Sequence, residues 1–346
     1  MPFFFLSSGL FLGWSLGAND AANVFGTAVG SKMIRFKTAA VLCSVFVLLG
    51  AVISGAGASN TLGKLGSVNA IAGAFTVAAS AAFTVFGMSK IKIPVSTSQA
   101  IVGSILGWNF YAGAETDTAV LLEIVSTWFL CPLLSGVFAV GLFLLTKKFF
   151  NGVKIHLLRL DLYTRLGLII VGAFGAYSLG ANNIANVMGV FVSVSPFQDL
   201  HFGVVSVSST QQLFCLGGLA IAVGIYTYSE RVMETIGKNL FRLSPEAALV
   251  VVLANALVLF LFSSQGLADW LASRGLPSVP LVPVSSTQAV IGAILGIGIY
   301  KRAKGINYGV LGEIAAGWVA TPIAAGGFTF VALFFLQNVF NQEVII

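Results

Sequence analysis

A carboxylate and three amides recur at matched spacing: Asp20 and Asn23 in Gly17-Ala18-Asn19-Asp20-Ala21-Ala22-Asn23, and Asn183 and Asn186 in Gly180-Ala181-Asn182-Asn183-Ile184-Ala185-Asn186. Their oxygens suit a hard cation such as sodium, and no cluster of Cys and His points to a transition metal. A second pair of motifs, Pro94-Val95-Ser96-Thr97-Ser98-Gln99-Ala100 and Pro283-Val284-Ser285-Ser286-Thr287-Gln288-Ala289, repeats at an offset of 189. Hydroxyl-rich turns that open helices present free N–H groups and about half a positive charge, which makes an anion cradle. Ser96, Thr97, Ser98, Ser285, Ser286 and Thr287 are therefore candidate contacts to an oxyanion, with simple helix capping as the plainer use of the same groups. Gln99 and Gln288 join the cation candidates, with hydrogen bonding between helices as their plainer use.

These groups must be held inside a membrane. Hydrophobic residues make up 57% of the 346-residue chain and charged ones 9%, far below the charge content of a soluble domain, and mean hydropathy is +0.97. Apolar runs from Phe3 to Leu16 and from Leu166 to Leu179 precede the two signatures. As helix, each run carries the chain roughly 20 Å, to or past the midplane of a hydrocarbon core about 30 Å thick. Polar groups at that depth are expensive and turn inward. Cys43, Cys131 and Cys215 lie in apolar runs and read as packing residues, while His156 and His201 read as surface loop residues. The apolar N-terminus lacks a basic leader and reads as a retained span.

Only about thirteen apolar residues follow Gln99 before Glu115-Thr116-Asp117, too few to span alone, so this stretch reads as a half-helix entered through a polar turn within the membrane. Glu313, Trp318 and Pro322 match Glu123, Trp128 and Pro132 at an offset of 190, and Gly172, Ala176 and Gly180 match Gly9, Gly13 and Gly17 at 163. The small residues allow close helix packing. Glu123 and Glu313 are candidates for coupling or gating.

The sequence thus divides into a first repeat (1–146), a basic cytoplasmic connector (147–165) and a second repeat (166–346). The expected fold is an all-α polytopic membrane protein of two inverted-topology repeats. Each repeat makes about five crossings, giving 10–12 helices when re-entrant or broken half-helices are counted. With both termini outside, all basic residues except Lys64 and Arg274 fall on the cytoplasmic side, as the positive-inside rule requires. An odd number of crossings per half then inverts the second copy, the plan of secondary transporters. Loops use up all 18 basic residues, so none remains in the membrane to neutralise an anion, and a co-bound cation is implied beside Asp20. No nucleophile–base pair or metal-ligand spacing suggests an enzyme.

The twin signatures and twin hydroxyl turns resemble those of the inorganic phosphate transporter (PiT) family over Ser8 to Phe330. The resemblance implies phosphate import by cation symport through alternating access, with sodium as coupling ion, protons as the alternative, and no cofactor. It implies that Asp20, Asn23, Asn183 and Asn186 help form cation sites and that Thr97, Ser98, Ser286 and Thr287 contact phosphate. Family members generally carry Asp in both signatures, whereas this chain has Asn183 in the second. A sulfate symporter of the same architecture is the near alternative. The expected setting is the plasma or inner membrane, with phosphate, sodium and lipid as partners, no nucleic acid, and a homodimer as one assembly open to the chain.

Overall fold

The computed structural model describes residues 2–66, 68–90, 95–151, 156–202, 205–239, 244–302 and 308–346. Pro94 at the mouth of the first hydroxyl turn lies outside them, as do Lys92, Lys154, Arg242 and Lys304 of the charge census. The described residues form thirteen α-helices. The first seven are α1 (Pro2–Phe5), α2 (Ser7–Gly30), α3 (Phe36–Ser54), α4 (Ala56–Leu65), α5 (Ile71–Lys90), α6 (Thr97–Ala112) and α7 (Thr118–Asn151). The rest are α8 (Leu157–Met188), α9 (Ser209–Asn239), α10 (Pro245–Leu261), α11 (Gln265–Ser273), α12 (Ser286–Tyr300) and α13 (Tyr308–Asn338). One antiparallel hairpin, β1 (Leu200–Phe202) and β2 (Val205–Val207), pairs Leu200 with Val207.

Among the described residues, six helical stretches are long and apolar enough to cross a membrane: Phe36–Ser54, Ile71–Lys90, Thr118–Lys148, Leu158–Phe191, Ser209–Glu230 and Leu311–Asn338. The pair α10 and α11, bent by 67° at its break, brings this to seven. The architecture is that of a multi-pass helical membrane protein, from which the short hairpin departs. The glycine-rich stretch after Gly55 is itself helical as α4, because Gly55 stays in the right-handed helical region and Ala, Ser and Leu favour continuing the helix. Connector residues 147–151 and 157–165 are the ends of α7 and α8.

The helix starts repeat in order. Helices α3, α5, α6 and α7 begin at Phe36, Ile71, Thr97 and Thr118, and α9, α10, α12 and α13 begin at Ser209, Pro245, Ser286 and Tyr308. Two insertions in the second half, the hairpin after α8 and helix α11, account for the widening offset. The signature helices lie antiparallel: Gly9 on α2 packs against Met188 and Phe191, Gly172 on α8 packs against Phe25, and Arg165 donates to the Met33 carbonyl at 2.9 Å. This is consistent with an inverted repeat.

Contacts between the halves follow the same pairing. A Cβ at Gly17 would run into the Ile221 carbonyl of α9, and one at Gly180 into the Val47 carbonyl of α3. Gly103 of α6 lies against Pro322 of α13, and Gly292 of α12 against Pro132 of α7. Each half therefore packs its helices mainly against the other, and side chains from both meet at the centre.

Candidate functional site

Helices α6 and α12 both begin in the buried centre, and their first turns are capped alike. Ser96 accepts from the Gln99 N–H at 3.2 Å and Ser285 from the Gln288 N–H at 3.3 Å. Each cap satisfies one of the four N–H groups that a helix start leaves free. Ser96 and Ser285 thus serve as caps, which was the plainer of their two sequence readings. Cys131, read as a packing residue, also donates its S–H to the Ser285 carbonyl at 3.7 Å.

The next residues of each turn meet the signature of the opposite half. Asp20 and Asn23 lie one turn apart on α2, both buried. Ser286 Oγ donates to Asp20 Oδ2 at 2.9 Å, while Asn23 Nδ2 donates to Ser286 Oγ at 2.9 Å and to Thr287 Oγ1 at 3.1 Å. In the mirrored arrangement, Asn186 Nδ2 on α8 donates to Ser98 Oγ of α6 at 2.8 Å and to Asn183 Oδ1 at 2.9 Å. Ser98 Oγ donates onward to the Val284 carbonyl at 3.1 Å. Thr97 is buried at the first turn of α6.

Asp20 is the one acid or base among the buried side chains of the described residues. Buried polar atoms are nearly always paired, yet the two cradles and their flanks contain several that are not. Among the described residues, Gln99 Oε1, Gln288 Oε1, Asn186 Oδ1 and Asn255 Oδ1 are buried acceptors without a partner, and Asn183 Nδ2 is a donor without one. Amide oxygens and a carboxylate are ligand types that suit a hard cation. Two helix N-termini in the same place supply the N–H groups and partial charge that an anion needs.

The two glutamates lie elsewhere. Glu123 is half-buried on α7 and Glu313 is exposed on α13, and neither hydrogen-bonds to these side chains among the described residues. Two residues enter that sequence reasoning did not assign. Asn255 on α10 is fully buried and its Nδ2 donates to the Asn23 carbonyl at 3.4 Å. Asn182, inside the second signature, donates to the Val282 carbonyl at 3.2 Å and accepts from the Val284 N–H at 3.0 Å. A buried Asn beside an already chosen motif was a usable signal for Asn182. For Asn255 the signal was a polar residue set inside the apolar run of α10.

Helices that cross a membrane, with a polar centre assembled from two opposed halves, are the build of a membrane solute carrier. The model of the "Phosphate transporter family" matches residues 16–329 and 278–344, so the chain belongs to that family. It is 28% identical to a protein of Methanocaldococcus jannaschii named as a candidate phosphate permease, over 90% of this chain and 89% of that one. It is 32% identical to the sulfate permease CysP of Bacillus subtilis, over 90% of this chain and 82% of that one. Its fold resembles a solved structure described as "The sodium-dependent phosphate transporter", with a TM-score of 0.76 and 22% identity, covering 97% of this chain and 98% of that one.

Proposed function

We propose that this chain imports inorganic phosphate across the cell membrane by sodium symport, exposing the central cradle alternately to the two sides. The observation that carries this reading is the crossed hydrogen bonding, in which Asp20 and Asn23 hold Ser286 and Thr287 while Asn186 holds Ser98. Three of the candidate cation groups, Asp20, Asn23 and Asn186, touch candidate anion groups, so filling one cradle changes the other. Phosphate would lie between the starts of α6 and α12, contacted by Thr97, Ser98, Ser286 and Thr287. Sodium would lie against Asp20, Asn23, Asn183, Asn186, Gln99 and Gln288. An anion beside Asp20 is repelled unless a cation is bound with it, and this makes uptake of the two obligatory.

The orientation that fits the charge census places both termini outside and the basic 147–165 connector in the cytoplasm. Sulfate is the second reading, favoured by the 32% identity to a sulfate permease. Both anions are tetrahedral and suit hydroxyl and N–H donors. The deciding experiment is competition of labelled phosphate uptake by sulfate in proteoliposomes, with and without an inward sodium gradient. Sodium-stimulated uptake that excess sulfate leaves intact supports the first reading. Uptake blocked by equimolar sulfate supports the second, and uptake driven equally by a pH gradient without sodium makes the proton the coupling ion.

A further inference from the structure

Asn182 lies between the groups that the proposed transport assigns to cation and to anion, and itself belongs to neither set. It is wholly buried on α8, next to Asn183 and one turn before Asn186. Its amide makes a two-point pairing with the extended segment that leads into α12, donating to the Val282 carbonyl at 3.2 Å and accepting from the Val284 N–H at 3.0 Å. Pro283, between these two residues, has no N–H to offer. One side chain therefore takes up both pairing points on that edge of the segment, immediately before the Ser285 cap.

Val284 is gripped from its other end as well. Its carbonyl accepts from Ser98 Oγ at 3.1 Å, and Ser98 Oγ accepts from Asn186 Nδ2 at 2.8 Å. The same Asn186 amide donates to Asn183 Oδ1 at 2.9 Å. The backbone of Val284 is thus tied to α8 directly at its N–H and through Ser98 at its carbonyl. A side-chain rearrangement at Asn183 or Asn186 on binding a cation reaches Val284 through Ser98, while Asn182 holds the same residue against α8.

The counterpart in the first half does something else. Asn19, at the same place in its signature, donates to the Ser15 carbonyl at 3.0 Å and to Ser89 Oγ at 3.1 Å, within α2 and across to the end of α5.

We infer that Asn182 is a positioning residue that fixes the start of α12 against α8 and thereby links occupancy of the Asn183/Asn186 site to anion binding at Ser286 and Thr287. The inference rests on the transport reading proposed above. The link is one-sided, with Asn19 taking no equivalent part.

The test uses the full-length purified protein as wild type, Asn182→Ala and Asn19→Ala. Amide hydrogen exchange without ligands is read over residues 281–288, and phosphate affinity is measured with and without sodium. Asn182→Ala should speed exchange at Val284 about tenfold, the order expected for one lost buried hydrogen bond. It should also shrink the sodium-induced gain in phosphate affinity by about tenfold. Asn19→Ala should leave both as in wild type. Asn182→Ser, whose hydroxyl reaches at most one of the two backbone groups, takes the place of Asn182→Ala if that variant fails to fold. Unchanged exchange, or an unchanged sodium effect on phosphate affinity, would overturn the positioning role. A wild type whose phosphate affinity ignores sodium would overturn the transport reading itself, and the exchange arm would still report whether Asn182 holds Val284.

Discussion

The two halves of the molecule share a scaffold and differ in charge. On the first signature helix a carboxylate, Asp20, takes a hydrogen bond from Ser286, and Asn23 reaches two hydroxyls of the opposite turn. On the second, the matching position is the amide Asn183, and Asn186 divides its donor between Asn183 and a single hydroxyl, Ser98. The backbone that carries these groups is alike in both, down to glycines lying against a facing carbonyl at Gly17 and Gly180. Packing can thus fix where two matching polar clusters sit while a single side chain sets the charge of each.

The largest effect should come from removing Asp20, the one buried charge among the described residues. Asp20→Asn keeps the shape of the side chain, so the protein should stay folded while sodium-driven phosphate uptake in liposomes falls about a hundredfold. Full sodium-driven transport by this variant would move the essential charge to Glu123 or Glu313. The shared scaffold makes the opposite kind of prediction. Gly17→Ala and Gly180→Ala should each destabilise the protein by about 1–3 kcal/mol, and by similar amounts, because both press a methyl group into a facing backbone carbonyl. Thermal unfolding in detergent checks this, and a large difference between the two would show that the halves are not packed alike.

The extent to which this arrangement was legible in the sequence follows from the same physics. A bilayer demands long apolar runs and punishes buried polarity, so the spans and the two signatures stand out in one dimension. The starts of α6 and α12 were readable because Ser at a helix entry has a specific capping use, which Ser96 and Ser285 fulfil. The partner of each group was not readable. Nothing in the local sequence says that Asn23 bonds to Ser286, because that pairing depends on how the halves dock. Nor does it reveal that Asn255, a polar residue in an apolar run, reaches the Asn23 carbonyl. Glu123 and Glu313 repeat in sequence, yet one is half-buried and the other exposed, and neither bonds to the central side chains among the described residues.

Smaller effects sharpen the division between anion and cation groups. Thr287→Ala should weaken phosphate binding about tenfold while changing sodium binding less, since it removes a hydroxyl from the start of α12. Equal losses for both ligands, measured by isothermal titration, would assign that hydroxyl to the cation instead. The smallest change should follow Asn183→Asp, which gives the second signature the charge of the first. Sodium affinity should rise by about two- to fivefold, limited by repulsion between two buried carboxylates. An unchanged sodium affinity would mean that the second signature does not face a cation.

The central claim is that the paired cradles move phosphate and sodium together. The most direct measurement is labelled phosphate uptake by the purified wild-type chain in liposomes, with an inward sodium gradient compared against an equal gradient of potassium. The account predicts accumulation above equilibrium with sodium and none with potassium. Equal uptake under the two gradients would contradict it.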